Sequence, residues 1–150
     1  MVKLTSSELS QDIICLIKNL SPIIANKSLE ITHLMYDKLF VKYPQFIDMF
    51  KDAPKNQPVL LAEALSAYAV NIDNLKILEP ALRIIAVTHV AVGVKPQHYR
   101  MLGPVLIGAT EEAIGKEATI EFIDAVREAY KYISDILIEM ESEMYKEFMD

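Results

Sequence analysis

The chain has 150 residues, 52% of them hydrophobic and 24% charged, which excludes intrinsic disorder and predicts a single domain over residues 1–150. The net charge of −6 and the lack of a basic cluster exclude a nucleic-acid partner bound through general electrostatics. No apolar run approaches the roughly 18 residues that span a bilayer, so we expect no membrane span. One cysteine and no visible secretory signal predict a reducing, cytoplasmic setting.

The first part of the chain predicts two long helices and a short one. Thr5 and Glu8 form a T-x-x-E capping box, and an apolar stripe with helical spacing follows it. Ser21 and Pro22 either restart a helix or bend the first one. A second apolar stripe ends at Pro44, and a single helical turn is predicted directly after it.

The rest of the chain also shows helical periodicity. A polar stretch at residues 51–57 predicts a loop, and further helices are predicted over residues 58–72, 79–89, 96–114 and from 119 almost to the end. Gly115 ends the third of these. No segment alternates with period two, so we predict no sheet. About seven unequal helices with short loops favour an irregular all-α packing over a regular four-helix bundle.

Motifs that bind metals or catalyse reactions are few. His33, His89 and His98 form no H-x-x-x-H or H-E-x-x-H pattern, so a zinc site has no support. No C-x-x-C-H, G-x-S-x-G or phosphate-binding glycine loop occurs. We expect Cys15 to be a buried hydrophobe, with a reactive thiol as the alternative. We expect His33 to face solvent or a helix partner, and His98 to be exposed. His89 ends an apolar stripe before a glycine turn, where it is either a core histidine bonded to a carbonyl or a ligand.

Four segments carry a family pattern: LMYDKLFVKYPQFIDMF (34–50), NQPVLLAEALSAYAVNIDNL (56–75), IIAVTHVAVGVKPQHYRMLGPVLIGA (84–109) and AYKYISDILIEMESEMY (129–145). In this order, and with few gaps, they resemble the globins. The resemblance is greatest to single-domain bacterial haemoglobins of the Vitreoscilla type and to the haem domain of flavohaemoglobins. It covers essentially the whole chain. It implies a globin fold, with the helices packed around a pocket for non-covalently bound haem b.

The resemblance implies a proximal side built on His89. This residue matches the haem ligand, and Tyr99 and Glu141 match its hydrogen-bonding partners, with the family's separations of 10 and 42 residues. When one imidazole nitrogen binds iron, the other is a donor, and an acceptor behind it orients the ring and makes the ligand more electron-rich. We therefore expect Glu141 to tether Tyr99, and one or both to contact His89. The alternative is an exposed glutamate and an interface tyrosine.

The resemblance also implies a distal side. Phe50 matches the phenylalanine that packs flat on the porphyrin, Tyr36 the distal tyrosine and Gln57 the distal position, with Leu61 one turn further on. A phenol donating to bound dioxygen in a dry pocket is worth about 1–3 kcal/mol, or roughly 5- to 150-fold slower release. Gln57 either adds a second donor or bonds Tyr36. The alternative for Tyr36 is an ordinary core tyrosine.

These matches predict a protein that binds dioxygen reversibly, for transport or storage, and also binds NO and CO. The alternative is a nitric oxide dioxygenase served by an external flavin reductase, which the Tyr99 and Glu141 pair favours. Thr88 stands where flavohaemoglobins usually have lysine, and Val126 where tryptophan is common. Thr88 and the lack of room for FAD and NAD(P)H domains favour the first function. A single-domain protein and a haem-domain fragment both remain open, as do monomer and homodimer.

Two further functions remain as alternatives. Haem-dependent gas sensing would need an output domain, and the sequence shows none. A helical scaffold protein without haem would explain the apolar stripes but not the family pattern around His89.

Overall fold

The structure is a computed structural model that describes residues 8–149. Within these residues the chain forms six α-helices and no β-strand, which confirms the predicted all-α class. The helices are α1 (Gln11–Lys42), α2 (Gln45–Met49), α3 (Gln57–Val70), α4 (Glu79–Val92), α5 (Pro96–Ile114) and α6 (Ile120–Met149). Short 3₁₀ turns at Leu75–Leu78 and Gly115–Glu117 lie before α4 and after α5.

One continuous helix, α1, replaces the two helices predicted for this segment. Pro22 lies inside it, and its missing N–H leaves the carbonyl of Lys18 without the usual intrahelical donor. The Ser21 hydroxyl donates to that carbonyl at 2.8 Å in place of the missing N–H, so the carbonyl keeps a donor and the helix continues through the proline. The number of helices therefore falls below the predicted seven because α1 is not interrupted.

The beginning of α1 also differs from the prediction. The helix is capped by Ser10, whose side chain accepts from the N–H of Ile13 at 3.2 Å. The capping box predicted from Thr5 lies outside the described residues. Cys15 is exposed, contrary to expectation, because it follows the buried Ile14 by one position and a helix turns about 100° per residue.

The core lies where α1, α5 and α6 meet, with α3 packed along α1. Its completely buried large side chains include Ile31, Met35 and Leu39 of α1 and Phe122 of α6. A smaller apolar cluster between α4 and α6 contains Leu82, Ala86, Ile136, Leu137 and Met140. Helix α4, which carries His89, therefore depends mainly on α6 for its position.

Two helix ends bear on the predictions. Gly115, with a φ of 72°, ends α5 as predicted. Helix α4 runs past its predicted end to Val92, so His89 lies in the last turn rather than at the terminus. In the described part of the chain, no single helix is both long enough and apolar enough to span a bilayer. One pair of helical segments, Leu75–Val92 and Pro96–Glu117, has the required length and composition only when the two are taken together, and they are bent by 114°.

Candidate functional site

Three predicted residues meet at the junction of α4, α5 and α6. His89 Nδ1 lies 2.9 Å from the hydroxyl of Tyr99 and 2.9 Å from Oε2 of Glu141. The Tyr99 hydroxyl donates to the same carboxylate oxygen at 2.7 Å. Glu141 is only 3% exposed. The structure therefore contains the expected contacts of Glu141 with both Tyr99 and His89, and we call these residues the proximal group.

The proximal group leaves one nitrogen of His89 available. A carboxylate only accepts hydrogen bonds, so the contact with Glu141 places the hydrogen on Nδ1 and the lone pair on Nε2. Among the described residues Nε2 has no hydrogen-bond partner, and the His89 side chain is 31% exposed. That part of the chain contains no group of three or more His, Cys, Asp or Glu residues that could hold a metal ion. A metal at Nε2 would need its other ligands from elsewhere, which a porphyrin provides.

A glycine turn holds the end of α4 in place. Gly93 has a φ of 84° and donates its N–H to the carbonyl of Val90 at 3.2 Å, and Val94 donates to the carbonyl of His89 at 2.9 Å. These two bonds form a Schellman motif, which satisfies the last carbonyls of a helix. The Tyr145 hydroxyl donates to the Val94 carbonyl at 2.7 Å and so ties the turn to α6. The backbone that carries His89 is thus fixed from two sides.

Tyr130 supports the proximal group from behind, and the sequence did not reveal it. Its hydroxyl donates to the backbone carbonyl of Tyr99 at 2.6 Å. Gly103 makes room for the Tyr130 ring, because a Cβ at that position would lie 2.8 Å from ring atom Cε2. The only signal in the sequence was a glycine inside a predicted helix, which often marks a close approach.

Burial keeps both phenols of this region neutral. It raises the pKa of Tyr99, and the hydrogen bond to Glu141 and the charge of that carboxylate raise it further. Burial also raises the pKa of Tyr130 to about 12. Both hydroxyls therefore remain hydrogen-bond donors at any physiological pH.

A second group of predicted residues, the distal group, lies between α1 and the start of α3. Gln57 Nε2 donates to the hydroxyl of Tyr36 at 3.2 Å, which is one of the two roles predicted for Gln57. The Tyr36 and Phe50 rings meet edge to face with centroids 5.2 Å apart, and Phe40 lies 5.8 Å from both. Burial raises the pKa of Tyr36, whereas the bond from Gln57 lowers it. The phenol is thus neutral, and its hydrogen is not used in the bond with Gln57.

Leu61 is half-buried on α3, one turn after Gln57, and packs against the main core. Phe50 and Leu65 are likewise half-buried against the main core, and Ile85 is half-buried against the smaller cluster between α4 and α6. Side chains of this kind, neither buried nor fully solvated, are suited to line a pocket for a flat apolar ligand.

The other two histidines and Thr88 lie outside the proximal and distal groups. His33 is exposed, which is one of the two surroundings expected for it. His98 is half-buried, contrary to expectation, because its Nδ1 accepts from the Lys95 N–H at 2.9 Å and caps α5. Its burial and the charge of Lys95 lower the pKa of His98. Thr88 is exposed and donates to the carbonyl of Ile84 in its own helix at 3.1 Å.

The family profile described as Globin matches residues 33–137. The fold and this match show that the chain belongs to the globin family, as the sequence resemblance predicted.

Two relatives illustrate the similarity. The chain is 38% identical over 139 residues to an uncharacterised globin-like protein of Aquifex aeolicus, covering 93% of this chain and 99% of that protein. It is 37% identical over 142 residues to a flavohemoprotein of Rhodopirellula baltica, covering 93% of this chain but only 35% of that protein. The chain thus spans about a third of the length of the flavohemoproteins it matches.

Solved structures agree with this assignment. An engineered carbene transferase, a variant of a proposed nitric oxide dioxygenase from Rhodothermus marinus, superposes with a TM-score of 0.91 at 32% identity, covering 95% of this chain and 99% of that one. A bacterial globin from Campylobacter jejuni superposes with a TM-score of 0.83 at 30% identity, covering 91% and 99%.

Proposed function

We propose that this chain is a haem b globin that binds dioxygen reversibly and also binds NO and CO, in a cytoplasmic setting. The observation that carries the proposal is the proximal group: Nδ1 of His89 is held by Glu141 and Tyr99, so Nε2 is the nitrogen left to bind iron. When bound, haem supplies an iron with an open position for a diatomic gas. The residues present fit this group, since His89 offers Nε2 without a partner among the described residues and Ile85, one turn earlier in α4, is a half-buried apolar side chain.

The distal group supports dioxygen as the gas. Because Gln57 donates to the Tyr36 oxygen, the Tyr36 hydrogen remains free for a ligand. Tyr36 is 7% exposed, and a donor shielded from water interacts more strongly with a polar ligand. Dioxygen held at the haem would be more polar than CO, so a donor from Tyr36 would favour retention of dioxygen.

A second function, nitric oxide dioxygenation, is favoured by the Glu141 contact. A carboxylate that accepts from a metal-bound imidazole increases the electron donation of that imidazole, which assists oxygen activation. The net reaction combines NO, O₂ and one electron to give nitrate, so an external flavin reductase would have to supply the electron. The similarity to the proposed dioxygenase from Rhodothermus marinus supports this alternative.

The haem-binding proposal is tested by expression with ample haem. We expect a red protein with a Soret band that shifts when CO is added. His89→Ala should lose most of the bound haem, and added imidazole should restore it by filling the vacated space. His33→Ala is the matched control, because His33 is an exposed histidine of α1. A colourless wild-type protein, or full haem retention in H89A, would refute the proposal.

One assay separates the two functions. The protein is mixed with NO under air, with a flavin reductase and NAD(P)H present, and nitrate is measured over time. Sustained nitrate formation identifies a dioxygenase. A single equivalent of nitrate per protein identifies an oxygen carrier.

A further inference from the structure

Three buried serine and threonine residues lie along α1, and one of them differs from the others. Ser21 and Ser28 donate to carbonyls three residues earlier in their own helix, at 2.8 Å and 2.9 Å. Thr32 is completely buried, and its hydroxyl lies 2.8 Å from the carbonyl oxygen of Pro58 in α3 and 3.1 Å from that of Leu29. A hydroxyl has one hydrogen to donate, and the shorter distance is the one to α3. Thr32 alone of these three residues therefore bonds to another helix.

The carbonyl that Thr32 contacts belongs to the residue after Gln57. Tyr36 lies one turn after Thr32 on the same face of α1, and it accepts from the Gln57 side chain at 3.2 Å. Two hydrogen bonds from neighbouring turns of α1 thus hold the dipeptide Gln57–Pro58. The proline ring also restricts the backbone of Gln57. The position of the Gln57 amide is therefore set by the attachment of the first turn of α3 to α1.

We propose that Thr32 is a positioning residue of the distal group: by holding the Pro58 carbonyl, it fixes the first turn of α3 and places the Gln57 amide on the Tyr36 hydroxyl. The inference rests on the proposed function for its effect on gas binding. In the part of the chain that the structure describes, Thr32 bonds through its hydroxyl only to the backbone carbonyls of Pro58 and Leu29. It acts through Gln57 and Tyr36, and it belongs to none of the residues that the family resemblance identified.

The consequence concerns dioxygen more than CO. Without the Thr32 hydroxyl, the start of α3 is free to shift, and Gln57 moves away from Tyr36. The Tyr36 hydroxyl then rotates more freely, so its hydrogen is directed less often at a ligand. Retention of dioxygen, which depends on that donor, should weaken, whereas retention of CO should hardly change.

The test compares Thr32→Val, which keeps the volume and removes the hydroxyl, with Thr32→Ser, which keeps the hydroxyl. Ser28→Ala is the matched control, because it removes a buried hydroxyl of the same helix that bonds only locally. We expect T32V to release dioxygen about fivefold faster, which corresponds to about 1 kcal/mol, with CO release unchanged. T32S and S28A should both remain within about twofold of wild type for both gases. Thr32→Cys, with a weaker donor of similar size, replaces T32V if that variant does not fold.

A crystal structure of T32V separates the positioning role from the proposed function. We expect the distance from Gln57 Nε2 to the Tyr36 hydroxyl to exceed the hydrogen-bond limit of about 3.5 Å. An unchanged distance, unchanged dioxygen release, an equal increase in CO release, or the same increase in S28A would each overturn the inference. If the wild type binds no gas but the distance lengthens in T32V, the proposed function fails and the positioning role stands.

Discussion

A histidine binds a metal only through a nitrogen that carries no hydrogen, so the partners of the other nitrogen decide what His89 can do. In this chain those partners are a buried carboxylate and a neutral phenol, contributed by α6 and α5. The carboxylate accepts, so the tautomer is fixed and the ring cannot turn without breaking two contacts. The same logic applies on the other side, where Gln57 donates to Tyr36 and leaves the phenol hydrogen free.

Replacing Tyr36 by phenylalanine removes that hydrogen and keeps the ring against Phe50. We expect dioxygen release to become roughly 5- to 150-fold faster, because one hydrogen bond of about 1–3 kcal/mol to the ligand is lost. The measurement is stopped-flow displacement of dioxygen by CO. Tyr43→Phe, which changes a half-buried tyrosine near the end of α1, is the control. An unchanged rate in Y36F would show that Tyr36 does not contact the gas.

Tyr130 gives a pH dependence whose sign follows from its burial. Its pKa is raised from 10.0 to about 12 in the folded protein. Above pH 10 the unfolded phenol loses its proton while the folded one keeps it, so the folded state binds more protons. The stability that this group contributes is complete below pH 10 and is lost as the pH rises towards 12.

Tyr130→Phe should therefore flatten the alkaline loss of stability. The variant should be less stable than wild type near neutral pH, since the bond to the Tyr99 carbonyl is lost, at a cost of about 1 kcal/mol. Its free energy of unfolding should fall less between pH 10 and 12, because one buried phenol no longer titrates. Urea unfolding at a series of pH values measures both. Parallel curves for the two proteins would contradict the prediction.

At the scale of the elements, two local devices decide how the helices run. In α1 the Ser21 hydroxyl satisfies the carbonyl that Pro22 leaves without a donor, so one helix forms where a break was open as an alternative. In α4 the left-handed Gly93 ends the helix shortly after His89. The backbone N–H groups of Gly93 and Val94 then donate to the last carbonyls of the helix. A change in either device would act on the whole helix.

Gly93→Ala should destabilise the protein by about 1–2 kcal/mol, because alanine at a φ of 84° has a steric penalty that glycine lacks. Gly108→Ala is the matched control. Gly108 lies inside α5 with open space around its position, so the added methyl should stabilise by about 0.5–1 kcal/mol. Urea unfolding measures both changes. Equal effects of the two substitutions would show that the turn conformation is not what Gly93 provides.

For the whole molecule, α4 lies outside the larger core. It rests mainly on the small apolar cluster with α6, whereas α1, α3 and α5 share the larger core. A ligand that binds His89 and also contacts the larger core would join α4 to that core. Binding of the cofactor and stability of the fold should therefore be linked.

Addition of haem should raise Tm. A ligand that binds only the folded state at a free concentration of about 1,000 times its Kd stabilises by about 4 kcal/mol, or roughly 10 °C for a chain of this size. The measurement is thermal unfolding followed by circular dichroism, with and without haem. His89→Ala should show a much smaller increase. An equal increase in H89A would mean that haem binds without this residue.

By itself the sequence determined the helix class, the loop before α3 and the glycine that ends α5, because helical periodicity, capping and glycine conformations act over a few neighbouring residues. The family pattern added His89, Tyr99 and Glu141 as partners. The exposure of Cys15 depended on which face of α1 meets the core, and the continuity of α1 depended on the bond from Ser21 to the Lys18 carbonyl. Periodicity alone resolved neither.

Only the tertiary structure decided which hydrogen bonds form between helices. The Tyr130 bond to the Tyr99 carbonyl and the Thr32 bond to the Pro58 carbonyl join residues 31 and 26 positions apart. Neither leaves a local pattern, since a tyrosine or threonine on a buried helix face looks the same whether or not a carbonyl lies opposite. Packing of the whole core sets how closely one helix backbone approaches another. That distance determines whether such a side chain only fills space or also bonds to a carbonyl near the site.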